Sequence, residues 1–209
     1  MCADRCGALI RTRLGMAHDI DTRDIFLKGK DVILKVLTRD DVTGSGWYGW
    51  FNDEVLCKTL QKHYFPTTME SQVALWEQNV KNAIDRIQLG ICRLEGGPIV
   101  GIISLSHIDF INRKAEMSIV IGDRKAQNLS IFVDSCRLIF NHAFYTLNLN
   151  RIYGGSISQE LVTILCRLLK CKSEGILRQD IFKNGKYHDA YLYAVLRDEF
   201  PPLLMEDWT

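Results

Sequence analysis

Apolar residues fall on every second position in 115–121, as Ala115, Met117, Ile119 and Ile121, and then switch to helical spacing, as Val133, Cys136, Phe140, Ala143 and Phe144. The change from period 2 to period 3.6 predicts a strand followed by a long helix over residues 128–147. The same signals run along most of the chain. Residues 31–37 (DVILKVL) alternate as a strand and are followed by the turn and capping residues Thr38, Arg39, Asp40 and Asp41. Residues 47–60 are helical in part, with Gly44, Gly46 and Gly49 blurring their start. Val73, Trp76, Val80 and Ala83 define a helix over 69–84.

Three strand-like runs come next, at 88–94, 99–106 and 114–121, separated by the tight-turn signal Glu95-Gly96-Gly97-Pro98 and by residues 109–113. They predict an antiparallel meander. After the long helix, a strand at 151–156 and a helix at 160–169 precede two closing strands, which Asn184-Gly185 joins as a hairpin. Residues 1–23 lack periodicity and read as an N-terminal extension, residues 24–200 as one domain, and residues 201–209, opening with Pro201-Pro202, as a tail. A chain of 209 residues is long enough for one substantial core and short for two.

A formal net charge of +1, with both signs mixed along the chain, argues against nucleic acid or an anionic membrane as the main partner. Apolar runs stay well below the roughly 18 residues of a membrane span, and the N-terminus carries no signal-like apolar segment. A cytoplasmic protein is expected. The seven cysteines are scattered, mostly in apolar surroundings, and show no paired Cys/His spacing for a metal; they are read as reduced structural thiols, with no metal site.

The order of elements and seven segments together resemble the GNAT superfamily of acyl-CoA N-acetyltransferases over about residues 30–200. The segments are LKVLTRDD (34–41), WFNDE (50–54), GIISLSHI (101–108), NRKAEMSIVIGD (112–123), HAFYTLNLNRIY (142–153), EGILR (174–178) and FKNGKYHD (182–189). WFNDE followed by YFPTTMES (64–71) is most similar to the branch acting on nucleotide-linked amino sugars. The resemblance implies an α/β fold of α+β type, with a mixed, mostly antiparallel twisted sheet flanked by helices and two central strands splayed apart. It also implies acetyl-CoA as acyl donor and a small-molecule amine as partner. A homodimer is left open. Alternatives of different class are a protein N-terminus or a polyamine as acceptor, and a catalytically silent protein of this fold.

In such a fold the pantetheine amides add to the exposed backbone of one splayed strand, here Met117, Ile119, Val120 and Ile121. The diphosphate meets the start of the long helix, where N–H groups and the helix dipole favour an anion. The family pattern of Arg or Gln, two residues, Gly, one residue, then Gly or Ala falls on Gln127, Asn128, Leu129, Ser130, Ile131 and Phe132. Both small positions are changed, and Phe132 decides whether the loop retains room for the diphosphate. Arg124 and Lys125 are candidates for the 3′-phosphate, or solvated turn charges.

The family's usual tyrosine acid falls on Cys166, and its preceding Asn on Gln159. A thiol could donate a proton to the leaving thiolate, or Cys166 simply fills an apolar site. Glu116, a carboxylate interrupting an apolar strand, is the candidate base, or the partner of Arg113 or Lys114. For the acceptor, the resemblance suggests Asn52, His63, Tyr64, His107, Asp109, Tyr187 and His188, against ordinary surface or turn roles for each.

Overall fold

In the computed structural model, which describes residues 20–60 and 64–203, the alternating segments pair into one eight-stranded sheet. The strands are β1 (Ile25–Lys28), β2 (Val32–Val36), β3 (Ile87–Arg93), β4 (Gly101–Asp109), β5 (Lys114–Ile121), β6 (Arg151–Ser156), β7 (Lys172–Lys183) and β8 (Lys186–Leu196). They lie in the order β1-β2-β3-β4-β5-β6-β8-β7, and only β5 and β6 run parallel. The α-helices are α1 (Arg39–Gly44), α2 (Trp47–Trp50), α3 (Met69–Trp76), α4 (Leu129–Asn141) and α5 (Gln159–Leu169).

Strand alternation sorts side chains to two faces. Leu34, Ile91, Ile103, Leu105 and Ile152 point to one face, where they meet Leu138, Ile139, Phe140 and Phe144 and the inner side of α5. Ile33, Cys92 and Ile102 point to the other, under Val42 and Trp47 of α1 and α2 and the partly buried Val73 and Trp76 of α3. A helix covers each face, so the strands read as nearly continuous apolar runs. Side chains fix the helix starts. Thr38 and Asp41 form a capping box at α1, Thr68 and Ser71 another at α3, and Asn128 and Ser158 cap α4 and α5.

Several boundaries differ from expectation. The helix expected over 69–84 is α-helical only through Trp76 and widens into a π turn, Glu77–Lys81, leaving Ala83 outside. The long helix does the same, with a π turn at His142–Thr146. Strand β1 was not expected: four residues are too few to display a period, and pairing with β2 creates it. The ordered body starts before residue 24, since Ile20 packs against the second cluster and Asp21 caps the turn Thr22–Asp24. At the far end Phe200 is buried, with its ring 5.6 Å from Phe140 and 5.8 Å from Phe144, and the Leu203 amide donates to Asn141 Oδ1. The structural thiols expected from the sequence are seen at the described positions: Cys57, Cys92, Cys136 and Cys171 are buried, Cys57 Sγ donates to the Trp50 carbonyl, and burial pushes the Cys92 and Cys171 thiols up to about 12. No described helix is long and apolar enough to cross a membrane.

His142, at the end of α4, is buried and meets the Phe26 ring edge-on at 5.0 Å. Burial disfavours the imidazolium and lowers its pKa below 6.5. The unfolded chain therefore binds a proton that the folded chain refuses, and stability falls as pH drops through 6.5 toward the depressed folded value. Urea midpoints at about pH 7.5 and about pH 5.5 should drop further on acidification in the wild type than in His142→Gln. Equal drops would contradict the buried, neutral imidazole.

Candidate active site

Strands β5 and β6 pair for three residues only, Lys114 with Arg151, Ala115 with Ile152 and Glu116 with Tyr153. Beyond that point β6 continues against β8 as far as Ser156, while β5 continues against β4 as far as Ile121. The edge of β5 from Met117 onward thus has no strand partner on its β6 side, and its peptide groups face a cleft. Tyr193 of β8 stands at the fork. Its register partner is Gly154, where an added Cβ would lie 2.5 Å from the Tyr193 hydroxyl and 3.1 Å from the Met117 carbonyl. Glycine is needed there because the phenol occupies the space.

The cleft has two limbs, of about 500 and about 450 Å³, which share Thr59, Leu60, Ile119, Val120, Phe132 and Leu161. Both volumes lie in the range of small-molecule sites. The first limb runs from the apolar wall of Ile164 and Leu56 to Gln127, Asn128 and Leu129 at the start of α4. Asn128 Oδ1 accepts from the Ile131 amide, and the Phe132 amide bonds the Asn128 carbonyl, which leaves the amides of Leu129 and Ser130 without partners among the described residues. Gln127 Nε2 donates to the Ile121 carbonyl and ties the loop to the end of β5. Phe132 packs against the main core and forms part of the wall where the limbs join, so it does not fill the loop mouth. Arg124 lines this limb and grips Asp53 through two bonds of 2.7 and 3.0 Å; the guanidinium holds the Asp53 carboxyl below its usual range.

The second limb has a polar floor on otherwise apolar strands: Gln88, Ser104, Ser106, Glu116 and Ser118. Ser104 and Ser118 are hydrogen-bonded at 2.8 Å. His107 Nδ1 donates to Glu116 Oε2 at 3.1 Å. The contact depends on a bulge in β4 between Ser106 and Asp109, at which His107 takes φ +52°. Tyr193 also lines this limb, its hydroxyl has no hydrogen bond among the described residues, and burial pushes the phenol well above its ordinary pKa. It is therefore neutral and able to donate a proton.

The residues expected from the sequence divide clearly. Met117, Ile119, Val120, Ile121, Arg124, Gln127, Asn128 and Phe132 line the cleft, and Glu116 and His107 meet at its polar end. Ser130 and Ile131 do not line it: Ser130 Oγ bonds Asn128 Oδ1, and Ile131 is buried in the core. Lys125 and Gln159 are exposed outside it. Cys166 is a correction. The phase of α5 turns Leu161 and Leu165 toward the cleft and Cys166 toward the backbone of Ser173, and burial raises its thiol above the ordinary range. It cannot reach the cleft as an acid.

The acceptor residues need similar correction. Asn52 braces Thr67 through two hydrogen bonds, and Tyr64 donates to the Phe182 carbonyl. Asp109 caps its own turn by accepting from Ile111 and Asn112. Tyr187 meets the Phe182 ring edge-on, and His188 Nε2 bonds the Lys183 carbonyl. None of these lines the cleft, and His63 lies outside the described residues. Trp47, Gln72, Arg86 and Tyr193, which do line it, were missed. The polar residues at alternate positions of three apolar strands were the signal that could have located the limb.

Residues 31–158 match the Acetyltransferase (GNAT) domain family. The chain is 28% identical over 135 residues to a putative ribosomal N-acetyltransferase, YdaF, of Bacillus subtilis (strain 168), covering 64% of this chain and 72% of that protein. Spermidine N(1)-acetyltransferase of Escherichia coli (strain K12) is 23% identical over 143 residues, covering 68% and 76%. A crystal structure of spermidine N-acetyltransferase from Vibrio cholerae in complex with CoA and spermine has a TM-score of 0.71 at 19% identity, covering 80% of this chain and 96% of that one.

Because the Tyr193 phenol occupies the space over Gly154, Gly154→Ala must displace it and should cost about 1–3 kcal/mol in urea unfolding. An unchanged midpoint would contradict this placement of Tyr193.

Proposed function

The chain belongs to the GNAT acetyltransferase family and takes acetyl-CoA as acyl donor, and from that premise we propose that it acetylates the primary amine of a nucleotide-linked amino sugar, bound in the limb beside Glu116. The observation that carries the proposal is the meeting, at one fork, of the unpaired β5 edge, the Glu116 carboxylate and the Tyr193 hydroxyl. The amino-sugar acceptor is supported by the segments at 50–54 and 64–71 and by the mixed polar lining of the limb. Relatives named for polyamine or ribosomal-protein acetylation make those acceptors the second reading.

The cleft suits the donor. Its apolar wall of Ile119, Val120, Leu161 and Ile164 matches a pantetheine arm, the β5 edge offers peptide groups to its amides, and Leu129, which lines the cleft at the positive end of α4, has an unused N–H group. Phe132 stands in the wall and leaves that helix terminus open. When bound, acetyl-CoA supplies an acyl carbon already activated as a thioester.

The residues of the chain then handle the protons. An acceptor amine arrives as ammonium and must lose a proton before its nitrogen can attack. Glu116, its side chain 40% exposed, takes that proton at a carboxylate oxygen and returns it to solvent, while the His107 Nδ1–H held against Oε2 orients the carboxylate. Tyr193 gives its hydroxyl proton to the departing sulfur and regains one from the nitrogen as the amide forms. The sum is one proton released per transfer. Burial disfavours a phenolate, so the two transfers at Tyr193 run together, and Cys166 is not required.

Glu116→Gln keeps the shape and removes the basic oxygen, so kcat should fall by about 10²-fold or more while acetyl-CoA binding and stability hold. Tyr193→Phe should lower kcat by about 10²-fold with the KM for acetyl-CoA unchanged. Release of free thiol in the presence of amine measures both; wild-type rates in both variants would overturn the assignments.

A further inference from the structure

The second limb contains three polar groups with no role in the proton transfers above. Arg86, half-buried just before β3, lines it and has no carboxylate partner among the described residues. Gln72 of α3 and Trp47 of α2 are each 2% exposed and also line it, and Gln72 Oε1 and Trp47 Nε1 are buried with no hydrogen bond among the described residues. An orphaned buried polar atom is destabilising, so two on one cavity wall mark groups held in readiness for something that enters. One is an acceptor and the other a donor. Among the described residues, the charged side chains lining the limb are Glu116 and Arg86.

Resting on the acetyltransferase reading, we propose that Arg86, Gln72 and Trp47 form the recognition site for the acceptor, which carries an anionic group for Arg86 and hydroxyls for the two orphaned atoms in addition to its amine. A guanidinium without a partner attracts carboxylate or phosphate, and its N–H fork matches their oxygens in pairs. A hydroxyl both donates and accepts, so hydroxyls satisfy the Gln72 oxygen and the Trp47 N–H, which a chain of methylenes and ammonium groups cannot do together. A polyamine would bring several positive charges beside Arg86 and find one carboxylate. Like-charge placement of that kind selects against polycations. The site thus favours an anionic amino sugar and disfavours spermidine.

The test is calorimetry on the protein saturated with CoA, using glucosamine, muramic acid, glucosamine 6-phosphate and spermidine as ligands. The first three share an amine and hydroxyls and differ in carrying no anion, a carboxylate or a phosphate. At least one anionic sugar should bind about tenfold or more tightly than glucosamine, and the tighter one identifies the anion; Arg86→Gln should remove the difference. Gln72→Leu, which removes the orphaned oxygen at similar volume, should keep or raise the melting temperature and weaken all three sugars. Spermidine binding more tightly than every sugar, no binding by any sugar, or an anion preference that survives Arg86→Gln would overturn the proposal. Acetyl-CoA titrated alone reports separately on the acetyltransferase reading, and the same sugar series on the protein without CoA keeps the anion comparison interpretable if the cofactor does not bind.

Discussion

Three residue pairs hold β5 to β6, and the divergence after Glu116 and Tyr153 governs everything placed around it. Strand β6 has a full antiparallel partner in β8, whose long hairpin with β7 draws it away, while β5 keeps eight residues of strand against β4. A parallel pair is slightly weaker per residue than an antiparallel one, so the sheet opens at its single parallel junction. Tyr193, wedged over Gly154, keeps it open from within the core. Unpaired peptide groups in a buried setting are costly, and a ligand that completes the ladder recovers what the fold leaves unmade.

The two ends of the cleft meet opposite electrostatic demands. At the start of α4 the helix dipole and two spare amides favour an anion, while Asn128 already holds the Ile131 amide and Arg124 is committed to Asp53. What that end offers an anion is chiefly backbone, which does not depend on the side chains of Ser130 and Phe132. At the other end the Glu116 carboxylate and the Arg86 guanidinium line one limb together with hydroxyl and amide side chains. His107 reaches Glu116 only because the β4 bulge turns it through a left-handed backbone angle.

Much of the fold was legible because its elements are periodic. The meander, α4, α5 and the Asn184-Gly185 hairpin follow from alternation, helical spacing and turn chemistry. Strand β1 and the π turns were not, since pairing with β2 and a locally widened helix leave no period to read. The β5 and α4 lining was legible because one strand and one helix start carry it. The acceptor limb is assembled from α2, α3, β3, β4, β5 and β8, residues far apart in the chain, so alignment to a motif pointed instead to Tyr187, His188 and Cys166. Tyr193 shows the reason most plainly: it stands at the fork from β8, outside the helix motif to which the resemblance assigns Cys166.

Hydrogen exchange of the β5 amides bears most directly on the free edge as the seat of acetyl-CoA. Without ligand, the amides in 118–121 that face away from β4 should exchange faster than those bonded to it. Addition of acetyl-CoA should slow these edge amides together with Leu129 and Ser130, leaving β1 and the β7–β8 hairpin tip unchanged. Binding of acetyl-CoA with no new protection at the β5 edge would contradict the seat on that strand.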